Sequence, residues 1–405
     1  MSFQQGLSGL NAASKNLDVI GNNVANANTV GFKSSEAQFA DVYAASLTGG
    51  GGSNIGIGTA VTGVAQQFSQ GDPTVTNNPL DVAINGNGFF RMSNNGSITY
   101  SRNGQFKTDN QGFLISSTGQ NVTGYPVNSS GAVSSGTPVN LQVSAADLPP
   151  TTTTTATANV NLDSRTTVSA SAFNMTDSTT YQGTTSMPVY DSLGNAHTLS
   201  MYFVKNAANS WDVYGANDGT QISATPIGQV NFTSSGAIDT STTTMPVTLN
   251  LPVTTGASAI SMSLDLTGST QFGNSFGVNS LTQDGFAAGK LSGYSISADG
   301  TITGNYTNGQ TRAEGQIALA NFTNPQGLQS LGGNQWAETS ASGPALTGAP
   351  KSGNLGALQS GAVEDSNVDL TSELVNMITA QRVYQANAQT IKTEDQIMQT
   401  LVSLR

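Results

Sequence analysis

Cysteine is absent from the 405 residues of this chain, and histidine occurs only once, at position 197. Without thiols the protein has no disulfide, no thiolate nucleophile and no thiolate metal site, and one imidazole cannot build a histidine-rich metal centre. The fold must therefore be stabilised by packing alone. Any serine–histidine chemistry would have to use His197.

Charged residues are also scarce, at 9% of the chain, whereas about 25% is usual in soluble proteins. The polar surface must then consist mainly of uncharged Thr, Ser, Asn, Gln and Gly. The formal net charge is -11, with 24 acidic and 13 basic residues. Because so few basic residues are available to contact phosphates, nucleic acid is not an expected partner.

Long apolar runs are missing as well. No stretch approaches the roughly 20 apolar residues of a membrane-spanning helix. The first residues have neither a basic segment nor a continuous apolar segment, so a cleavable signal peptide is not expected. If the protein leaves the cell, we expect it to do so with its first helix uncleaved.

The amino-terminal residues have the spacing of an amphipathic helix. Apolar residues recur there at alternating intervals of four and three, which is typical of a helix that packs lengthwise against another. The pattern ends near Gly31, a residue type that can adopt the left-handed conformation of helix ends. The residues of this stripe are Phe3, Leu7, Leu10, Ser14, Leu17, Gly21 and Val24.

The carboxy-terminal residues predict a longer helix with the same alternation. Asn367 and Asp369 offer capping oxygens at its start, and neither Gly nor Pro interrupts it up to Arg405. Its stripe consists of Leu370, Leu374, Met377, Gln381, Tyr384, Ala388, Ile391, Asp395, Met398 and Val402. A second apolar face, which a neighbouring copy is expected to bury, consists of Ile378, Val383, Ile397, Leu401 and Leu404.

Between the ends, alternation at a period of two predicts β-strands. Asn103-Gly104 and Asp299-Gly300 each lie between alternating segments and predict tight hairpin turns. Further strands are predicted at 189–190 and 197–203, and at the alternating apolar residues between Ile260 and Leu266. The fold class predicted is therefore mainly antiparallel β domains of barrel or sandwich type, with long terminal helices packed as a coiled-coil pair.

Composition divides the chain into four nested parts. The Pro-Pro pair at 149–150 followed by five Thr marks one boundary, and a second falls near 281–289. The predicted parts are an inner helical polymerisation domain (1–30 and 361–405), a flexible linker region (31–70) that includes the glycine-rich residues 49–58, a middle β domain (71–148 and 285–360) and an inserted outer β domain (149–284).

Candidate catalytic motifs fail on their context. Residues 273–277 match the Gly-x-Ser-x-Gly pattern around Ser275, but no helical pattern follows and His197 precedes the serine. The order Asp191, His197, Ser275 matches another protease order whose fold needs parallel α/β units. Phosphate-binding and calcium-binding patterns are not completed. We therefore expect a protein that is not an enzyme and has no catalytic residue, cofactor, metal or small-molecule substrate.

Two terminal segments resemble the signatures of the bacterial flagellar rod and hook protein family. The first covers residues 17–26 and 29–33 and includes Asn22, Asn23, Asn26, Gly31 and Phe32. The second begins at Ser366 and continues through Glu373-Leu374, Met377-Ile378 and Gln381-Arg382 to Asn387. Residues 80–84, 88–91 and 100–106 are also similar to the family.

Within the family, a large inserted domain distinguishes hook proteins from rod proteins, and residues 189–197 resemble the hook version. The resemblance implies a non-catalytic subunit that polymerises with itself into the curved tubular hook, an extracellular universal joint carrying torque from rod to filament. It implies four further partners: the distal rod protein, the hook cap protein, the hook–filament junction protein and the flagellar type III export apparatus. The helical ends would form the inner tube.

Three other hypotheses remain at this point. A distal rod protein would be shorter. An extracellular β-rich adhesin would share the Thr-rich, Cys-free middle but would not need helices at both ends. A secreted serine hydrolase would need Ser275 and His197 in contact.

Overall fold

The chain forms two compact units in the computed structural model. Unit 1 comprises Met1–Ala145, Gly293–Asn305 and Thr311–Arg405, and unit 2 comprises Ala146–Ser292 and Tyr306–Gln310. The structure describes residues 2–42, 56–128, 131–134, 136–144, 146–254 and 256–403. Most of the predicted glycine-rich connection, residues 49–55, lies outside the described residues. The predicted division into four parts is finer than these two units and stays a prediction.

In the described part of the chain, one long helix precedes 29 strands in the sequence and a second long helix follows them. The elements in chain order are α1 (Ser2–Ala25), β1 (Ser35–Val42), β2 (Gly58–Gln66), β3 (Pro73–Val75), β4 (Val82–Asn85), β5 (Phe89–Asn94), β6 (Ser97–Ser101), β7 (Phe106–Thr108), β8 (Leu114–Ser116), β9 (Asn121–Pro126), β10 (Val139–Asn140), β11 (Thr155–Asp163), β12 (Gly183–Tyr190), β13 (Ala196–Ala207), β14 (Ser210–Asn217), β15 (Thr220–Gln221), β16 (Gly228–Asn231), β17 (Val247–Leu251), β18 (Ile260–Asp265), β19 (Thr270–Phe272), β20 (Gly277–Gln283), β21 (Leu291–Ile296), β22 (Thr301–Tyr306), β23 (Thr311–Ile317), β24 (Leu319–Asn321), β25 (Gln329–Gly332), β26 (Gln335–Ala337), β27 (Leu346–Gly348), β28 (Ala357–Ser360), β29 (Ala362–Glu364) and α2 (Leu370–Ser403). No helix among the described residues is long and apolar enough to cross a membrane.

The core of unit 1 lies against one large sheet. The sheet has 13 strands, and its main path runs β21-β22-β23-β9-β5-β6-β26-β25. Alternating side chains such as Phe90, Val122 and Ile317 are buried in one cluster. Phe89 and Trp336 belong to a second cluster, where their rings meet edge to face with centroids 5.7 Å apart. Alternation along the strands therefore sends side chains to both faces of this sheet.

One predicted hairpin is wrong. The strands flanking Asn103-Gly104 do not pair with each other, because β6 pairs with β5 and β26, and β7 pairs with β8. The tight turn falls instead at Asn95 and Gly96, whose φ angles of 49° and 93° suit a type I′ turn. Gly104 packs against β4, where its carbonyl accepts a hydrogen bond of 2.9 Å from the Val82 N–H. Both Asn-Gly pairs fit the local pattern, so packing selected between them.

The Asp299-Gly300 turn is confirmed. Strands β21 and β22 are neighbours on either side of it, and Gly300 has a φ of 82°. The strand predicted at 197–203 lies in the first two thirds of β13, and the alternating residues from Ile260 onward form β18. These segments combine a period-two pattern with turn residues at both ends, which is why their local sequence was sufficient.

The region predicted as a flexible linker, residues 31–70, contains paired strands where the structure describes it. β1 and β2 form an antiparallel hairpin with a register shift between Gln38 and Phe39. The hairpin contacts α1 through the Ser8 Oγ, which accepts a hydrogen bond of 3.3 Å from the Thr59 N–H. These strands have little hydrophobic alternation of their own, so their sequence did not indicate pairing.

Unit 2 is a β-sandwich. One sheet has the order β17-β18-β11-β19 with β20 also paired to β11, and the other has the order β12-β13-β14-β15 with β16 paired to β14. Alternating residues from both sheets, among them Leu199, Trp211 and Leu264, share one buried cluster. β11 runs parallel to β18 and β19, which departs from the purely antiparallel character expected of the middle region. The predicted class, mainly antiparallel β with terminal helices, is confirmed.

Candidate assembly surface

The two terminal helices pack side by side in opposite directions. Gly6 lies beside Ile391 and Gly9 beside Asn387, while the Asn23 Nδ2 donates a hydrogen bond of 3.2 Å to the Glu373 Oε1. A Cβ atom added at Gly9 would lie 2.8 Å from the Asn387 Nδ2. Glycine therefore permits the close approach of α1 and α2 at this end of the pair.

The covered face of α1 is displaced from the predicted stripe by one residue. Its buried residues are Gly6, Ala12, Ala13, Ile20 and Asn23. The predicted stripe lies about 100° around the helix from this face: Phe3 and Leu7 are 48% and 44% exposed, and Leu10, Leu17 and Val24 are partly exposed. Small residues were not recognised as the intramolecular contact because they contribute little to an apolar pattern. The larger apolar residues remain available to another molecule.

The covered face of α2 shares only some positions with its predicted stripe. Met377, Ala388 and Ile391 are partly buried and Ala380 is buried, whereas Tyr384 is 37% exposed. The remaining apolar positions of the predicted stripe and second face point outward: Leu370 47%, Leu374 44%, Ile378 51%, Val383 47%, Ile397 49%, Met398 61%, Leu401 60% and Val402 75%. Val375, which the stripe omitted, is 59% exposed. Leu404 lies outside the described residues.

The end of α2 extends past α1. Because α1 begins at Ser2 and Gly6 is level with Ile391, Ser2 is level with Asp395, and the last eight residues of α2 lie beyond the start of α1. Every side chain from Asp395 to Ser403 is exposed. At about 1.5 Å per residue, this overhang is roughly 12 Å long.

A groove lies between the helix pair and the β1–β2 hairpin. Its volume is about 860 Å³, and its apolar lining includes Ala13, Ile20, Phe39 and Val383. The hairpin adds exposed Phe39, at 43%, and Val64, at 54%, to the same part of unit 1. The groove thus has a mixed polar and apolar lining, and exposed apolar side chains of the hairpin and of α2 lie in the same unit.

Two asparagines attach the helices to the hairpin. The Asn23 side chain receives a hydrogen bond of 2.9 Å from the Ser35 N–H and donates one of 2.8 Å to the Ser35 carbonyl. The Asn367 Oδ1 accepts from the Ser34 N–H at 2.7 Å, and its Nδ2 donates to the Gln67 carbonyl at 2.7 Å. Each side-chain amide thus supplies hydrogen-bond partners for backbone N–H and carbonyl groups of the hairpin. Of the two capping oxygens expected for α2, that of Asp369 is used: its Oδ1 accepts from the N–H groups of Thr371 at 2.9 Å and Ser372 at 3.3 Å.

A buried ion triad lies beside these contacts. The Lys33 Nζ is 2.6 Å from the Glu364 Oε1, and the Arg102 Nη1 is 3.1 Å from the Glu364 Oε2. The Lys33 and Glu364 side chains are 0% and 1% exposed. Burial lowers the pKa of Lys33 and of Arg102, and the Glu364 carboxylate opposes both shifts. The triad joins three segments that are far apart in the sequence.

Two signature residues, Gly31 and Phe32, directly precede Lys33 of this triad. Gly31 has a φ of 71° and its N–H donates a hydrogen bond of 2.8 Å to the Glu364 carbonyl. A Cβ there would lie 2.6 Å from the Asn103 nitrogen. Phe32 is buried, and the Asn26 Nδ2 donates a hydrogen bond of 2.9 Å to the Asn22 carbonyl in the last turn of α1. The signature therefore holds the exit of α1 against the β region.

Family models match the chain along most of its length. The model described as flagella basal body rod protein matches residues 3–33, and that of the hook protein FlgE/F/G D1 domain matches 83–170. The flagellar basal body protein FlaE D2 domain matches 161–286, and the C-terminal model of basal body rod FlgEFG proteins matches 359–404.

Curated relatives decide the assignment. The chain is 46% identical to the flagellar hook protein FlgE of Salmonella typhimurium and 45% identical to that of Escherichia coli, over 100% of both chains in each case. It is 32% identical to the flagellar hook protein of Borreliella burgdorferi, over 100% of this chain and 99% of the relative. The chain belongs to the flagellar hook protein family.

A solved structure of a hook protein has a related fold. The crystal structure of the Helicobacter pylori flagellar hook protein FlgE2 superposes with a TM-score of 0.53 and 15% identity, covering 71% of this chain and 99% of the other. The family membership confirms the prediction of a structural subunit of the hook, an extracellular part of the flagellum. A rod protein is disfavoured because the match to hook proteins spans both chains completely.

The serine hydrolase hypothesis is not supported by the contacts of His197. Its Nδ1 lies 2.6 Å from the Asp218 Oδ2 and its Nε2 lies 3.2 Å from the Asp191 Oδ2. Both ring nitrogens are therefore engaged with carboxylates. Ser275 is exposed, and its carbonyl lies 3.5 Å from the Asn161 Nδ2. The geometry leaves no ring nitrogen to accept the serine proton.

Proposed function

We propose that this chain polymerises through the outward faces of α1 and α2, and that further copies of the same chain bind to these faces. The observation that carries the proposal is the set of large apolar side chains that α2 leaves exposed along its whole length. Such a face is unusual on a soluble monomer. The match to hook proteins over 100% of the chain supports the choice of a second copy as the partner.

Burial of apolar area would provide the attraction between copies. A large side chain contributes about 1.5 to 3 kcal/mol when it is transferred completely from water into an apolar contact. Ile378, Met398 and Leu401 are at least half exposed and retain most of this potential. A neighbour displaced along the tube axis would cover the overhang of α2, which the chain's own α1 does not reach.

Self-assembly in this manner would build the inner wall of a tube from helices. The β-rich parts of the chain, which is poor in charge, would then exchange weak polar contacts of about 0.5 to 1.5 kcal/mol each as the hook bends. With few charged pairs to separate, neighbouring subunits would slide at little electrostatic cost. Bending and torque transmission would therefore be distributed between a strongly associated interior and a weakly associated exterior.

The remaining partners are proposed from family membership. Subunits at the two ends of the hook would contact the distal rod protein and the hook–filament junction protein, and growth would occur under the hook cap protein. Export would use the flagellar type III apparatus. We also propose that the chain has no catalytic activity, since the engagement of both His197 nitrogens removes the strongest catalytic candidate of the sequence.

Charge placed on the exposed faces of α2 should block assembly. Ile378→Asp and Met398→Asp are expected to abolish polymers seen by electron microscopy and sedimentation, because a buried unpaired carboxylate costs several kcal/mol. Gln389→Asp is the matched control, since Gln389 is an exposed polar residue of the same helix. Circular dichroism of the soluble chains would verify folding. Normal hooks from both aspartate variants would contradict the proposed surface.

A further inference from the structure

The single histidine connects two turns at one end of a sheet in unit 2. His197 is near the start of β13 and is 5% exposed. Asp191 follows β12 in the turn that leads to β13, and Asp218 follows β14 in the turn that leads to β15. The Asp191 side chain is fully buried, whereas the Asp218 side chain is 51% exposed.

The contacts of the ring fit one protonation state best. A neutral imidazole has one N–H donor, but here each ring nitrogen faces a carboxylate oxygen. The carboxylates are already acceptors elsewhere. The Asp191 Oδ1 accepts from the N–H groups of Leu193 and Asn195, each at 2.9 Å, and the Asp218 Oδ1 accepts from the Thr198 N–H at 2.8 Å. An imidazolium, with two donors, completes this arrangement.

We propose that the imidazolium of His197 is a pH-sensitive clasp that fastens the turn carrying Asp191 to the turn carrying Asp218. While the ring holds both protons, each carboxylate receives a charge-assisted hydrogen bond. When the ring loses a proton, one carboxylate loses its hydrogen bond from the ring, and Asp191 still accepts a hydrogen bond of 2.9 Å from the Asn195 Nδ2 through the same Oδ2. Asp218 is the one to separate, because it is half exposed and can bind water, whereas Asp191 is buried.

The pKa shifts agree with this geometry. Burial alone would lower the pKa of His197, but the hydrogen bonds and charges of Asp218 and Asp191 outweigh it and raise the pKa. The hydrogen bond from His197 lowers the pKa of Asp218. These two carboxylates, one from each turn, are the charged groups that act on the ring. The clasp therefore stabilises unit 2 fully below the ordinary imidazole pKa of about 6.5, and its contribution is lost as the pH rises through the higher pKa of the folded state.

The single histidine makes a direct test possible. In the full-length chain labelled with ¹⁵N-histidine, one imidazole is observed by NMR, and its titration midpoint should lie above the ordinary imidazole pKa of about 6.5. Asp218→Asn should reduce the proton affinity of the ring about tenfold, which is one pKa unit. Asp212→Asn is the matched control. Asp212 lies in β14, the strand that directly precedes Asp218, and its carboxylate accepts a hydrogen bond from Asn206 and does not contact the ring.

A stability measurement gives a second readout. Each unit contains one of the two tryptophans: Trp336 is buried in unit 1 and Trp211 in the core of unit 2. In a chain labelled with 5-fluorotryptophan, the two fluorine signals therefore report urea unfolding of each unit separately. The unfolding midpoint of unit 2 should fall as the pH rises above neutral, and Asp218→Asn should flatten that dependence. A histidine titration midpoint at or below the ordinary imidazole value of about 6.5, or an unchanged midpoint in Asp218→Asn, would overturn the inference. Neither result depends on whether the chain polymerises.

Discussion

At the scale of single residues, Glu364 has the most demanding environment in unit 1. Its carboxylate binds two buried cations and also accepts a hydrogen bond of 2.9 Å from the Gly71 N–H through Oε1. Placing three charges out of water is expensive, and the gain lies in specifying one arrangement of the segments that carry them. Lys33, Arg102 and Glu364 thus determine how the exit of α1 meets the strands near β29.

Glu364→Gln should strongly destabilise unit 1. The variant leaves two buried cations without a counter-charge, and removal of one partner from a buried ion pair typically costs about 3 to 5 kcal/mol. Urea unfolding followed by the 5-fluoro signal of Trp336 would measure the loss.

Asp18→Asn provides the comparison for this variant. The Lys15–Asp18 pair, at 3.3 Å, is exposed on both sides, at 68% and 64%. Loss of such a surface pair has little effect on the free energy of unfolding. Equal stability of Glu364→Gln and Asp18→Asn would show that the triad has no specific role.

At the scale of elements, the contact between α1 and α2 depends on glycine. Gly9 is beside Asn387, but a Cβ at Gly21 would have no neighbour within 4 Å. Both residues are in the same helix. Their different surroundings separate the effect of helix propensity from the effect of helix packing.

Gly9→Leu should loosen the helix pair, whereas Gly21→Leu should not. Leucine is a better helix former than glycine by about 0.5 to 1 kcal/mol, so Gly21→Leu is expected to maintain or raise the helical stability. At position 9 the same side chain must displace the Asn387 side chain from the contact between α1 and α2.

Thermal melting followed by far-UV circular dichroism of the full chain would compare the two variants. The expected order of helical stability is Gly21→Leu, then the unaltered chain, then Gly9→Leu. Equal melting of both leucine variants would mean that α1 and α2 do not require this close approach.

At the scale of the whole molecule, the sequence of unit 2 interrupts that of unit 1, and its two ends meet. The Leu148 N–H donates to the Gly289 carbonyl at 2.8 Å, and the Gly289 N–H donates to the Leu148 carbonyl at 3.1 Å. The chain between them can therefore be replaced by a short turn without stretching the backbone on either side. The role of the inserted residues in the polymer can therefore be tested by deleting them.

Deletion of residues 150–284, closed by an Asn-Gly turn, should leave a chain that still forms tubes but with altered curvature. The apolar faces of α1 and α2 are all in unit 1, so the proposed assembly surface is intact. Electron microscopy would show whether polymers form and how they curve. Complete loss of polymerisation, with a normal 5-fluoro signal from Trp336, would contradict the proposed division between an associating interior and an adjustable exterior.

The sequence by itself determined the features that depend on neighbouring residues. Long-period apolar spacing with Asp369 as a cap fixed α2, a period of two fixed β13 and β18, and the terminal signatures identified the family. Each of these signals is contained in one continuous segment, because helix geometry, strand alternation and capping operate over a few residues. Prediction from sequence was therefore reliable for the helices, many of the strands and the family.

Only the tertiary structure decided which of several equivalent patterns was used. It selected Asn95-Gly96 over Asn103-Gly104 as the tight turn, covered the small-residue face of α1 and not its leucine stripe, and brought Lys33 to Glu364 across 331 positions. The physical reason is that burial and charge pairing depend on distance in space. The sequence around a residue does not indicate which distant residue will contact it in the fold.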